Sequence, residues 1–107
     1  MAGTSEEVKR LFTYEEASAL LPEVQRITAV AVDEVENLGE GEEMVEQYQV
    51  IVGRWAESII HLGIEVKGLW LIDFDTGSGY YCWQWPEPGL QFYHGYDDGF
   101  GGRVQLN

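Results

Sequence analysis

Three kinds of residue are scarce in this 107-residue chain: cysteine, proline and bases of any kind. Cys82 is the sole cysteine, which excludes an internal disulfide and fits a reducing compartment such as the cytoplasm. Only 6 Lys and Arg stand against 19 Asp and Glu, a formal charge of -13. A field of that sign repels phosphate backbones, so nucleic acid is not an expected partner. The acids form a solvated face, with a basic protein or divalent cations as the charge-matched partners. No apolar run reaches the roughly 18 residues that a membrane helix needs, so no membrane partner is expected. The opening "MAGTSEEVKR" has no basic start followed by an apolar stretch, so no secretion signal is read there, and the expected location is cytoplasmic.

Hydrophobic residues make up 45% of the chain, enough for the core of one domain over 1–107. The composition changes near residue 63. Before it lie helical patterns rich in Ala, Leu, Val and Glu; after it lie aromatics and glycines. That order predicts an α+β domain: a helical hairpin over 12–62, a sheet over 69–96 and a glycine-rich tail over 97–107. Residues 1–11 are read as a flexible lead or a short extra turn.

Thr13 and Glu16 make a capping box at the start of the first helix, with Phe12 and Ala17 at the staple positions. Apolar residues then recur at helical spacing to Leu38. Pro22 cannot donate its amide and its ring crowds the carbonyl four residues back, which predicts a break or kink at Leu21–Pro22. After a turn at "GEGE", Tyr48, Val52, Trp55, Ile59 and Leu62 form the stripe of a second helix ending at Gly63. The two helices are expected to pair antiparallel.

Three antiparallel strands follow as a meander: "LWLIDFD" (69–75), "YYCWQW" (80–85) and "LQFYHGY" (90–96). Two four-residue loops, "TGSG" and "PEPG", would pair Asp75 with Tyr80 and Trp85 with Leu90. Alternation then puts Ile72, Phe74, Trp83, Phe92 and His94 on the core face, with Asp73, Asp75, Tyr80, Cys82 and Tyr93 on the other. A one-residue bulge would carry His94 across. Exposed tyrosines on the outer face, or an unpaired sheet edge, would suit a homodimer.

No complete catalytic pattern is present. "DFDTGSG" begins like a calcium loop, but Gly77, Ser78 and Gln84 stand where ligands and the required glycine belong. "GFGGR" lacks dinucleotide spacing. Cys82, His94 and His61 have no zinc spacing, and the simple register keeps Cys82 and His94 on opposite faces. The remaining candidates are Asp73, Glu87, His94, Asp97, Asp98 and Arg103. They either tie the tail to the sheet or line a pocket. As a metal site the candidates are His94, Asp73 and Glu87, since carboxylates with a histidine suit a divalent transition metal. The leading functional expectation is a non-catalytic binding or assembly module; the alternative is a metal-dependent or acid–base site around His94 with Arg103 holding an anion.

The segments "FTYEEASALLPEV", "LGIEVKGL", "LIDF", "YYCWQWPEPGLQFYH" and "GFGGR" together resemble an uncharacterised bacterial family, domain of unknown function 2203. Asp73, Cys82, Trp83, Glu87, His94 and Arg103 fall on the residues of that resemblance. Pro86 and Tyr93 depart from it, standing where the family has Gly and Trp, and the segment between Lys67 and Asp73 is shorter than usual. The family carries no activity to transfer.

Overall fold

The computed structural model describes residues 10–106. Two helices, α1 (Tyr14–Glu36) and α2 (Glu43–His61), precede five strands: β1 (Glu65–Gly68), β2 (Leu71–Asp75), β3 (Tyr80–Gln84), β4 (Phe92–His94) and β5 (Val104–Gln105). The strands form one antiparallel sheet in sequence order. The α+β class is therefore as expected, but the meander has five strands rather than three. The reading of residues 1–11 as a flexible lead or extra turn falls outside the described residues except at Arg10 and Leu11.

The capping box forms: Thr13 Oγ1 accepts from the Glu16 amide, and Glu16 Oε1 accepts from the Thr13 amide, each at 3.0 Å. Just before it, Phe12 is buried edge-on against Phe74, and its amide donates to the Asp75 carbonyl at 2.7 Å. These contacts tie the helical entry to the end of β2. The predicted break at Pro22 does not occur, because α1 runs unbroken through it. Pro22 lies on the exposed side of the helix, where solvent can serve the carbonyl that its ring leaves without a donor. Ala17, Leu21, Val24, Thr28 and Ala31 form the buried stripe of α1, facing Ile51, Trp55 and Ile59 of α2. Buried Thr28 links the helices directly. Its hydroxyl donates to the Val24 carbonyl at 2.7 Å and accepts from the Trp55 indole N–H at 2.9 Å.

Ile72, Phe74 and Trp83 complete this core from the sheet, as alternation predicts. The expected first strand, 69–75, is shortened to β2 at Leu71, and an unexpected strand, β1, precedes it across a turn at Leu69–Trp70. β1 turns into β2 there with Trp70 at φ 58, in the left-handed region. Trp70 is held by its T-shaped contact with Trp55 at 4.9 Å, and its carbonyl accepts from the Trp85 amide at 3.0 Å. The glycine-rich tail supplies β5, which pairs with β4.

The β2–β3 hairpin has the predicted register, with Asp75 opposite Tyr80 across a Thr76–Gly79 loop. The β3–β4 connection does not. Tyr80 faces His94 and Cys82 faces Phe92, one residue off the expected pairing. Strand pairing stops at Gln84 and resumes at Phe92, so the connection is seven residues, 85–91, rather than four. Glu87 organises it: its carboxylate accepts from the Gln84 amide at 2.9 Å and its carbonyl accepts from the Trp83 indole at 2.8 Å. The one-residue slip turns Phe92 and His94 away from the helices.

Candidate functional site

That slip assembles a buried polar cluster on the sheet face opposite the helices. Asp73 on β2 pairs with Cys82 on β3, and Asp75 pairs with Tyr80, which in turn faces His94. All five side chains point to the same side. Asp73 and Asp75 are each 1% exposed, Cys82 1% and His94 4%. Four such groups on an outer face stay this dry because other elements cover them. Lys67 of β1 lies over the Tyr80 ring at 4.2 Å, and Tyr96 packs edge-on against Tyr80 at 5.0 Å. The tail closes the other side through Arg103.

Arg103 acts as the strap of this cover. Its guanidinium lies between the Phe92 ring, at 3.9 Å, and the Phe100 ring, at 4.1 Å. Nη1 reaches Glu87 Oε2 at 2.8 Å and Oε1 at 3.1 Å, and lies 3.9 Å from the Cys82 sulfur. The expected tie between Arg103 and an acid therefore forms with Glu87. His94 forms its own pair: Nε2 lies 3.0 Å from Asp73 Oδ2, while Nδ1 lies 2.8 Å from the Gly95 carbonyl oxygen. The two basic groups thus meet two different acids.

The six sequence candidates divide accordingly. Asp73 and His94 come together at the centre, and Glu87 with Arg103 forms the rim. Asp97 and Asp98 are exposed on the turn after β4, where Asp98 accepts from the Gly95 amide at 3.0 Å. Glu87 is committed to Arg103 and the Gln84 amide, so it does not join His94 and Asp73 as a third ligand. Cys82 takes that place. The ligand atoms of Asp73, Cys82 and His94 lie within 4.8 Å of one another. Separating Cys82 from His94 by face is corrected by the same one-residue slip.

Glu65 is served by Lys67 at 3.3 Å and by the Tyr80 hydroxyl at 3.1 Å, and Glu87 by Arg103. Asp75 Oδ1 accepts from the Tyr96 hydroxyl at 2.7 Å and from the Gly77 amide at 2.9 Å. Asp73 has His94 and, at 3.7 Å, Lys67 on Oδ2. Its other oxygen, Oδ1, is buried with no hydrogen-bond partner among the described residues. Burial, reinforced by the Asp73 carboxylate, pushes the Cys82 thiol up to about 12. Burial and Glu65 also raise the Tyr80 phenol. A cleft of about 280 Å³ opens onto this group, bordered by Lys67, Leu71, Tyr96 and Phe100. A larger hollow of about 620 Å³ lies between the helices, walled by Leu38, Val50 and Ile51 and rimmed by acids. Among the described residues it gathers no comparable set of ligating side chains.

A family model described as "Uncharacterized conserved protein (DUF2203)" matches residues 33–106. The chain belongs to this family. The match includes every element of the DUF2203 sheet and the whole polar cluster, while the "FTYEEASALLPEV" segment precedes it. No curated protein and no solved structure matches the chain. No helix among the described residues of this DUF2203 protein is long and apolar enough to cross a membrane.

Proposed function

We propose that this protein is a small non-catalytic binding module whose ligand site is the cleft over Asp73, and that its ligand carries a positive charge. The observation that carries the reading is Asp73 Oδ1, buried with no hydrogen-bond partner among the described residues, on a side chain that lines the cleft. Leaving such an acceptor unmet costs about 1–3 kcal/mol, more for a charged group. A cationic ligand would meet it.

Binding is better supported than catalysis. A nucleophilic cysteine needs a lowered pKa or an adjacent base, and Cys82 has the opposite shift. Both ring nitrogens of His94 already face oxygen atoms, so neither is aimed at a substrate proton. Thermal denaturation of wild type and Asp73→Asn with divalent metal salts, alkylammonium and guanidinium compounds tests the reading. At least one of these cations should raise the wild-type midpoint and leave Asp73→Asn unmoved. The reading fails if none does so, or if both proteins respond alike.

A further inference from the structure

The charge on that ligand can be specified from the hydrogen bonding of one imidazole. His94 Nδ1 lies 2.8 Å from the Gly95 carbonyl oxygen, which only accepts, so Nδ1 carries a hydrogen. Nε2 lies 3.0 Å from Asp73 Oδ2. In the neutral ring with hydrogen on Nδ1, Nε2 presents a lone pair to a carboxylate oxygen, which repels it. The contact therefore needs a positive centre shared by the two atoms: a proton or a metal ion. A proton between Nε2 and Oδ2 satisfies that contact but leaves Asp73 Oδ1, among the described residues, with nothing nearer to a donor than the weak S–H of Cys82. A metal ion in the cleft can bind Nε2 and the carboxylate together.

From this geometry we propose that the cleft is a mononuclear site for a divalent transition metal, held by His94 Nε2, the Asp73 carboxylate and Cys82 Sγ. The proposal rests on the binding reading above and deepens it. A ring nitrogen oriented by a backbone carbonyl on its far side is the usual second-shell arrangement of metal-bound histidine. Bonds of ~2.0 Å at tetrahedral angles place bound nitrogen and oxygen ~3.3 Å apart, near the 3.0 Å found between Nε2 and Oδ2. The sulfur lies within 4.8 Å of both partners, so to bind at ~2.3 Å it draws in by at most about 1.3 Å. Forming the metal–sulfur bond releases the thiol proton to solvent. Arg103 Nη1, 3.9 Å from the sulfur, offers a positive charge to the thiolate that results. Lys67 opposes a metal at this point, but its ammonium is also paired with Glu65 at 3.3 Å and its side chain is 36% exposed, free to swing outward.

The donor set of one nitrogen, one sulfur and one carboxylate selects the metal class. Thiolate and imidazole favour zinc and its first-row neighbours over magnesium or calcium, which prefer all-oxygen shells. Three protein ligands leave a fourth position facing the cleft for water or a small ligand.

Titration of the untagged, metal-free chain with Co²⁺ tests the site, because bound cobalt reports sulfur coordination through a thiolate-to-cobalt charge-transfer band. Saturation at one equivalent with that band is expected, and Zn²⁺ should raise the thermal midpoint where Mg²⁺ does not. Cys82→Ser should abolish the band and weaken binding about tenfold or more while circular dichroism stays native. Asp73→Asn is the second variant should Cys82→Ser fail to fold. A folded wild type that shows no band overturns the proposal, as does binding unchanged in both variants, which would mark the acidic helices as the binders. If no metal binds but a guanidinium or ammonium compound stabilises the wild type and not Asp73→Asn, the metal site is wrong and the binding reading stands. If neither class binds, both fall.

Discussion

Replacing Arg103 tests whether the C-terminal tail is a strap that keeps the Asp73 cluster dry. The guanidinium stacks between two aromatic rings and ion-pairs with Glu87, and the paired side chains are only 13% and 20% exposed. Each stacking contact is worth about 0.5–1 kcal/mol where solvated and up to ~2 where dry. Truncating one partner of a fully buried ion pair costs about 3–5 kcal/mol, and partial exposure lowers that. The two contributions overlap, so Arg103→Ala should destabilise the fold by about 3 kcal/mol. For a domain of this size that shifts the thermal midpoint by about 12 °C, at ~4 °C per kcal/mol. Arg103→Lys keeps the charge but loses the planar stack and should cost about 1–2 kcal/mol. Urea denaturation followed by tryptophan fluorescence measures each loss. A double-mutant cycle with Glu87→Gln should return a coupling of about 1–2 kcal/mol. A loss below about 0.5 kcal/mol for Arg103→Ala, the range of ordinary surface substitutions, would refute the strap, as would zero coupling to Glu87.

Two further outcomes follow from buried polar groups. Thr28→Val leaves the Trp55 indole N–H buried without its acceptor, so it should cost about 1–3 kcal/mol, and combining it with Trp55→Phe should cost less than the sum of the two single changes, as read in the same urea assay. Cys82, 1% exposed and with its thiol pushed up to about 12, should react with a disulfide reagent near pH 8 only as fast as the metal-free chain opens; rapid stoichiometric labelling of the folded protein would show that the cluster is not closed.

The helices were legible because their signals are local. Thr13 and Glu16 sit three residues apart, and the apolar residues from Ala17 to Ala31 and from Val52 through Trp55 and Ile59 to Leu62 repeat at the helical period. Pro22 misled because the rule for proline assumes that the carbonyl it strips has no other partner, whereas Pro22 faces solvent. β1 and β5 were missed for want of periodicity: "EVKG" and "VQ" are too short to show alternation, and both are edge strands. Trp70 hid the first turn, since a bulky residue in the left-handed region gives no glycine or asparagine signal. The site turned on a single residue. "PEPG" reads as a complete four-residue turn, yet Glu87 uses its side chain and its carbonyl to hold a seven-residue connection, and those bonds are tertiary. With the register off by one, alternation sends His94 to the core and Cys82 to the opposite face, and Glu87 reads as a ligand rather than as the partner of Arg103. The residue types of the site were visible in the sequence; their convergence depended on sheet register, which alternation leaves ambiguous by one.

X-ray absorption at the metal edge of the zinc-loaded chain decides whether Cys82 is a ligand, because it counts donor types around the ion. The spectrum should show one sulfur at ~2.3 Å, from Cys82, with nitrogen and oxygen donors at ~2.0–2.1 Å that include an imidazole, and the sulfur shell should be lost in Cys82→Ser. A shell of oxygen donors alone, unchanged by that substitution, would place the metal on the surface carboxylates and contradict the proposed site.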